Sequence, residues 1–280
     1  MRRLVVTADD AGLHPGMTLG VARAFDRGIV TAASVAAVGR AFDHAVEVLK
    51  VRPGLDAGAH LTLVGERPLS PPSEIPSLVG GDGAFLPGFP VFATHYMMGR
   101  IALDEVRLEL GRQVERLRDA GLALVHANSH QHLHALPGVF EIVLELAAEH
   151  RIPWVRVPRA GGVLRRPSVR GIQLAVLDAF GRKAGRRLEA GRRERPLPRG
   201  IRTAGIFDAG HLTPERLHQS LAGAEDIVEL VCHPGLDEAA IAAEYDWGYA
   251  WEEETAALCD PAAEAALERS GCELTSFSLL

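Results

Sequence analysis

Cysteine is scarce and placed for no job that needs a pair: Cys232, Cys259 and Cys272, the three in the chain, lie far apart and never in a CxxC spacing. An odd, scattered set argues against a disulfide framework and against thiolate metal ligation, and favours thiols packed as small apolar groups in a reducing compartment. No apolar run reaches the roughly 18 residues of a membrane span, and no secretory leader is visible. These absences predict a cytoplasmic protein, with a peripheral membrane contact left open. Basic residues are not in excess either. A formal charge of −6 gives no global footprint for nucleic acid, so a polyanion partner would need a local patch. Internal repeats and low-complexity tracts are missing.

What is present suits a globular α/β chain. With 280 residues, 47% hydrophobic and 24% charged, a full core can be buried in one domain. Short apolar runs alternate with helical periods, the pattern of βα units on a mostly parallel sheet. Strands are expected at Leu4–Ala8, Val30–Val38, Leu55–Leu61, from Leu122, at Trp154–Val157, Gly205–Phe207, Ile227–Cys232 and Cys272–Phe277. Helices are expected at Thr18–Arg27, Ala41–Val51, Leu103–Ala120, from Pro137 to about His150, at Pro214–Leu221 and Glu252–Ser270. The clearest is Leu103–Ala120, where Val106, Leu110, Val114 and Leu117 form one apolar stripe. The Pro- and Gly-rich stretch at about 64–93 is too long for an ordinary connection and predicts a lid or binding loop. Between about 182 and 202 the chain is strongly basic, from Arg182 and Lys183 to Arg199 and Arg202. That run reads as a solvated helix face followed by a loop, or as a surface for acidic head groups or another anion.

Chemistry-bearing residues gather where strands are expected to end. Leu4–Ala8 runs into Asp9 and Asp10, the strand through Leu55 carries His60, His130, His132 and His134 follow Leu122–Val125, and Ile227–Cys232 runs into His233. Parallel α/β folds bring such ends to one face. One carboxylate and two imidazoles can hold a divalent cation with positions open for water and substrate. A second carboxylate beside them could act as general base, and a histidine across the pocket could protonate a leaving group. Taken singly, the Asp-Asp pair reads as a turn or helix cap, and His60 as a hydrogen-bonded core histidine. The His130-Gln131-His132-Leu133-His134 cluster is harder to absorb, because alternation in an extended segment would aim three imidazoles to one side, where they need polar partners or a cation. His14 follows the Asp-Asp turn closely enough to line the same pocket.

These stretches also resemble a known family. Thr7-Ala8-Asp9-Asp10-Ala11-Gly12-Leu13, Ala59-His60-Leu61-Thr62-Leu63, His126 to His134 and Glu229-Leu230-Val231-Cys232-His233-Pro234-Gly235, in that order, are similar to the motifs of the YdjC-like carbohydrate deacetylases. Leu258-Cys259-Asp260-Pro261 and Glu273 to Phe277 extend the resemblance to the end of the chain. It implies a single-domain, irregular (β/α) barrel that removes the acetyl group from an N-acetylated amino sugar with one divalent metal ion, magnesium or zinc. Carried over by motif, Asp10, His60 and His130 hold the metal, Asp9 is the general base and His233 the acid or orienting group. His14, His132 and His134 line the substrate pocket or support the ligands. Ala11 stands where the family usually has an aromatic residue, and Asn128 where many members have Asp, a change that would weaken support for a neighbouring imidazolium. Asn128 together with Pro71-Pro72-Ser73-Glu74-Ile75-Pro76 is similar to the hopanoid-biosynthesis-associated branch, which implies a glycolipid substrate and a membrane surface facing the basic run. The same residues also suit a phosphoesterase built on the same ligands or a non-catalytic sugar-binding barrel, and the chain is compatible with a homodimer.

Overall fold

A computed structural model describes residues 2–159, 169–192, 196–221 and 226–280. Its first strand, β1 (Arg2–Ala11), is buried from Leu4 onward, as the unbroken apolar run requires of a parallel strand covered on both faces. The chain then alternates: α1 (Pro15–Arg27), β2 (Ala32–Val35), α2 (Phe42–Lys50), β3 (Asp56–Leu61), α3 (Phe89–Met97), α4 (Leu103–Asp119), β4 (Leu124–Ser129), α5 (Val139–Glu149), β5 (Trp154–Val157), α6 (Val169–Gly191), β6 (Arg199–Ala204), α7 (Pro214–Ser220) and β7 (Ile227–Cys232). After β7 come α8 (Glu238–Ala242), α9 (Trp251–Cys259), α10 (Pro261–Arg269) and β8 (Cys272–Thr275). Strands β1 to β7 pair in sequence order, all parallel, and β1 closes the ring by pairing with both β2 and β7. The irregularity lies on one edge of β1. There β8 pairs with Arg2–Val5 and β2 with Thr7–Ala11, so two strands share one edge end to end.

Several expectations change in detail. Gly205–Phe207 is not a strand: Gly205 takes φ 87° and Ile206–Asp208 form a single 3-10 turn. The strand lies just before it, as β6, whose Arg199 and Arg202 place it inside the basic run. The single helix expected over Glu252–Ser270 is two, because Pro261 can only start a helix and the Asp260 side chain caps Ala262 N–H at 2.7 Å. The loop at 64–93 runs into the start of α3 and is tied to α4, with the Glu109 carboxylate accepting Leu69 and Ser70 N–H and Glu105 accepting Ser77 N–H. In the basic segment Arg182 pairs with Asp178 and Arg187 with Glu141 on α5, a solvated face partly neutralised by acidic neighbours. Arg193 and Arg195 lie outside the described residues.

Inside the barrel the packing leaves no slack. Val5, Ala32, Trp154, Ile201 and Phe277 form one buried cluster, and the His126 ring stacks on Phe277 at 4.5 Å. A Cβ on Gly58 would come within 2.2 Å of His126, whose Nε2 is also held 3.1 Å from Ser34 Oγ. Gly58→Ala is therefore expected to destabilise the protein by about 1–3 kcal/mol or more, as overpacking does. A lowered urea midpoint at constant slope is the measurement; an unchanged midpoint would show that the ring can retreat.

Candidate metal centre and active site

Adjacent residues of a regular strand face opposite ways, so Asp9 and Asp10 could not both reach one pocket from an unbroken β1. A bulge solves this. Ala8 pairs with Ala33 and Ala11 with Val35, one residue more on β1 than on β2, and Asp10 takes up the extra length at φ 68°. That left-handed conformation is one Asp tolerates better than most side chains. Both carboxylates are buried, at 2% and 3% exposure.

Asp10 meets two imidazoles. Its Oδ1 lies 3.1 Å from His60 Nε2 and 3.0 Å from His130 Nδ1, and the two ring nitrogens are 3.4 Å apart. One ligand atom from each residue falls within 4.8 Å of the others, the only such group of His, Cys, Asp and Glu among the described residues. The chemistry of the donors fits a cation. His60 Nδ1 sits 2.7 Å from Asn128 Oδ1, an acceptor, so the neutral ring carries its proton there and presents a bare lone pair at Nε2. Burial disfavours a charge on His60, yet Asp9 and Asp10 outweigh it and raise its pKa above the usual histidine value. Negative charge thus exceeds positive charge at this point.

Asn128 does two things at once. Its Oδ1 orients His60, and its Nδ2 donates to Asp9 Oδ1 at 3.1 Å and to Ser34 Oγ at 2.7 Å. The expectation that an amide here weakens support for an imidazole is only half the account, since a carboxylate could not donate to Asp9.

Behind Asp9 stands a residue that motif reading passed over. Arg156, in the middle of β5 and 1% exposed, grips Asp9 with Nη1 at 2.5 Å and Nη2 at 2.9 Å, and grips Glu229 of β7 with Nε at 2.9 Å and Nη2 at 2.7 Å. Thr203 Oγ1 completes the shell of Glu229 at 3.2 Å. Burial alone would raise the Asp9 carboxyl, but the charges of Arg156 and His60 hold it far below the ordinary range. Asp9 is therefore an ionised carboxylate fixed in position.

The remaining histidines separate. His130–Ala135 is not extended: it is a tight helical turn in which Gln131 (φ 52°) and His132 (φ 56°) are left-handed, a strained conformation typical of functional turns. This parts His130 from the other two, whose rings stay edge to face at 6.4 Å. Only His130 joins Asp10 and His60. His132 keeps an enclosed Nδ1 without a partner, and burial followed by the charge of Arg156 drives its pKa well down. His134 is fully buried, accepting from Ser129 Oγ at Nδ1 (2.6 Å) and donating from Nε2 to the Arg156 carbonyl (3.0 Å). Both nitrogens are spent on the scaffold, at Ser129 and at the backbone of β5. His14 caps α1, its Nδ1 accepting Gly16 N–H at 3.0 Å.

His233 follows β7 in the His-Pro-Gly turn. Its backbone N–H donates to Glu254 Oε1 at 2.6 Å and its enclosed Nδ1 lies 4.0 Å from the same carboxylate. Burial lowers its pKa against the pull of Asp10 and Asp9. The turn packs on α1 at Gly20, where a Cβ would come within 2.4 Å of the Gly235 backbone. Burial pushes the Glu254 carboxyl up to about 7, against the N–H groups of His233 and Leu212 that donate to it. Between its unfolded value near 4.5 and that folded value, the native protein holds a proton that the unfolded chain has released. Its contribution to stability is then full below pH 4.5 and is lost as pH rises through 7, an effect on the order of 3 kcal/mol. Urea titrations of wild type and Glu254→Gln at pH 5 and pH 8 are expected to show the wild type losing stability relative to the variant. Parallel behaviour would rule this out.

A closed parallel barrel with carboxylates and imidazoles gathered beyond its strand ends defines the chain as an α/β-barrel protein with its site on the usual face. The pattern of the YdjC-like protein family matches residues 3–269. A carbohydrate deacetylase of Geobacillus stearothermophilus is 30% identical over 278 residues, covering 99% of this chain and 97% of that protein. The carbohydrate deacetylase of Homo sapiens is 34% identical over 244 residues, 83% of this chain and 75% of that one. The fold matches the solved structure of an Enterococcus faecalis protein, provisionally described as a cellobiose-phosphate cleavage protein, with a TM-score of 0.75 at 22% identity over 99% and 98% of the two chains. The chain belongs to the YdjC-like family.

Proposed function

We propose that this protein is a divalent-metal-dependent deacetylase that hydrolyses the acetamide of an N-acetylated amino sugar, free, in an oligosaccharide or on a lipid. The observation that carries this reading is the grouping of Asp10, His60 and His130 around one point beside a separate carboxylate, Asp9, pinned by Arg156. The curated relatives, named carbohydrate deacetylases, support the choice of bond.

Asp10 Oδ1, His60 Nε2 and His130 Nδ1 are the atoms that would hold the ion, a donor set suited to zinc or another transition metal and compatible with magnesium. When bound, such an ion polarises a carbonyl oxygen and acidifies water. The other steps belong to the chain. Asp9, oriented through both oxygens, aligns the attacking water and takes its proton. Asn128 keeps Asp9 and His60 in register, and Arg156 keeps Asp9 ionised. His233, with Nδ1 turned toward Glu254, is left to deliver a proton from Nε2 to the departing amine. A two-metal phosphoesterase would need a second ligand group, and among the described residues Asp10, His60 and His130 form the only one.

Acetate release tests the reading. Protein stripped of metal is reloaded with zinc, magnesium, manganese or cobalt and given N-acetylglucosamine, diacetylchitobiose or an N-acetylglucosaminyl lipid. Release that depends on the metal is expected from at least one. None from any of them, with metal bound, would overturn the reading.

A further inference from the structure

Four aromatic residues stand at alternate positions in Tyr245-Asp246-Trp247-Gly248-Tyr249-Ala250-Trp251, and nothing so far has given them a role. The outer two are anchors: Trp251 is 1% and Tyr245 7% exposed, and the Tyr245 hydroxyl donates to Glu66 Oε1 at 2.9 Å. The inner two are half-buried and stand over the two ends of the candidate centre. The Trp247 ring lies 5.2 Å from that of His130, and the Tyr249 ring 5.2 Å from that of His233. Neither ring is loosely placed. Trp247 contacts Tyr245 at 4.8 Å and Tyr249 at 5.7 Å. Tyr249 lies flat on Gly210, where a Cβ would meet its ring at 2.2 Å.

The geometry points to Trp247 as the stacking platform for the pyranose ring of the substrate, with the half-buried Glu66 carboxylate as the hydroxyl acceptor beside it. A sugar ring offers one face of C–H groups and a rim of hydroxyls, so its recognition calls for a partly exposed aromatic plane next to a fixed polar acceptor. Both stand here within reach of His130. A core role explains Trp251 and Tyr245 but not why the large rings between them stay open to solvent directly over the imidazoles. The Tyr245 hydrogen bond fixes Oε1 of Glu66 and leaves Oε2 to accept. Trp247 is thus a residue that determines specificity, not a catalytic one, and the proposal rests on the amino-sugar reading above.

The test uses binding without turnover. Of the three tryptophans, Trp154 and Trp251 are buried, at 5% and 1% exposure, so a change in emission on contact with a ligand is assigned chiefly to Trp247. Metal-free protein titrated with diacetylchitobiose is expected to show a tryptophan emission change. Trp247→Ala should lose that change and weaken the calorimetric affinity about tenfold or more, with partial recovery in Trp247→Phe. In the metal-loaded enzyme the loss should fall mainly on KM. Equal affinity of Trp247→Ala and wild type for the disaccharide, or no binding by wild type, overturns the platform. Acetate release with an unchanged KM in Trp247→Ala would leave the deacetylase reading standing and remove this one. An emission change on disaccharide binding without acetate release at any metal would do the reverse.

Discussion

Asp9→Asn is expected to lower kcat for acetate release by about 10² to 10⁴, the usual contribution of a positioned general base, while metal content stays at the wild-type level. Asn at this position still offers one oxygen to Arg156, and it touches neither His130 nor the Asp10 oxygen that both imidazoles share. His60→Ala and His130→Ala should behave oppositely and lose the ion, since each removes one of three ligand atoms. Turnover is measured as acetate, and metal by elemental analysis of the same preparations. An empty Asp9→Asn beside loaded histidine variants would exchange the roles. A loaded Asp9→Asn that turns over within a few-fold of wild type would reduce Asp9 to an anchor for Arg156 and Asn128.

The barrel was legible where a strand is mostly apolar, and so was much of the candidate site, because Asp9, Asp10, His60 and His233 directly follow or end such runs. Trp154–Val157 and Ile227–Cys232 match their strands residue for residue. Strand β6 was hidden because Arg199 and Arg202 give it a composition that reads as part of a basic loop. The three histidines of His130–His134 misled for a different reason. Alternation speaks to one side only while the chain stays extended, and two consecutive left-handed residues are not visible in residue order. The bulge at Asp10 is equally silent in sequence, although two adjacent acids that must share a pocket imply something of the kind. Arg156 and Glu229 did leave a signal. Each is a single charge inside a strand buried on both faces, and a buried charge needs a partner. Two such strands, one carrying Arg and the other Glu, read together, predict the pair.

Removing Arg156 is expected to have the largest effect on stability. Arg156→Met would leave Asp9 and Glu229 buried, at 2% and 0% exposure, without their common counter-charge. Breaking a buried ion cluster from one side costs about 3–5 kcal/mol. Its pH dependence should separate it from simple mispacking. In the wild type Asp9 is held far below its unfolded value near 3.8, so its contribution is present above that pH and lost only as pH falls well under it. Without Arg156, burial pushes the carboxyl upward against His60 and His233 alone, and its contribution is then expected to be lost as pH rises. The stability gap between wild type and variant should therefore widen from pH 5 to pH 8 in urea titrations. Adding Asp9→Asn and Glu229→Gln to Arg156→Met removes the uncompensated charges and is expected to recover much of the stability, yet none of the turnover. A gap that stays constant with pH, or a triple variant no more stable than the single one, would mean that Arg156 acts through its volume and not its charge.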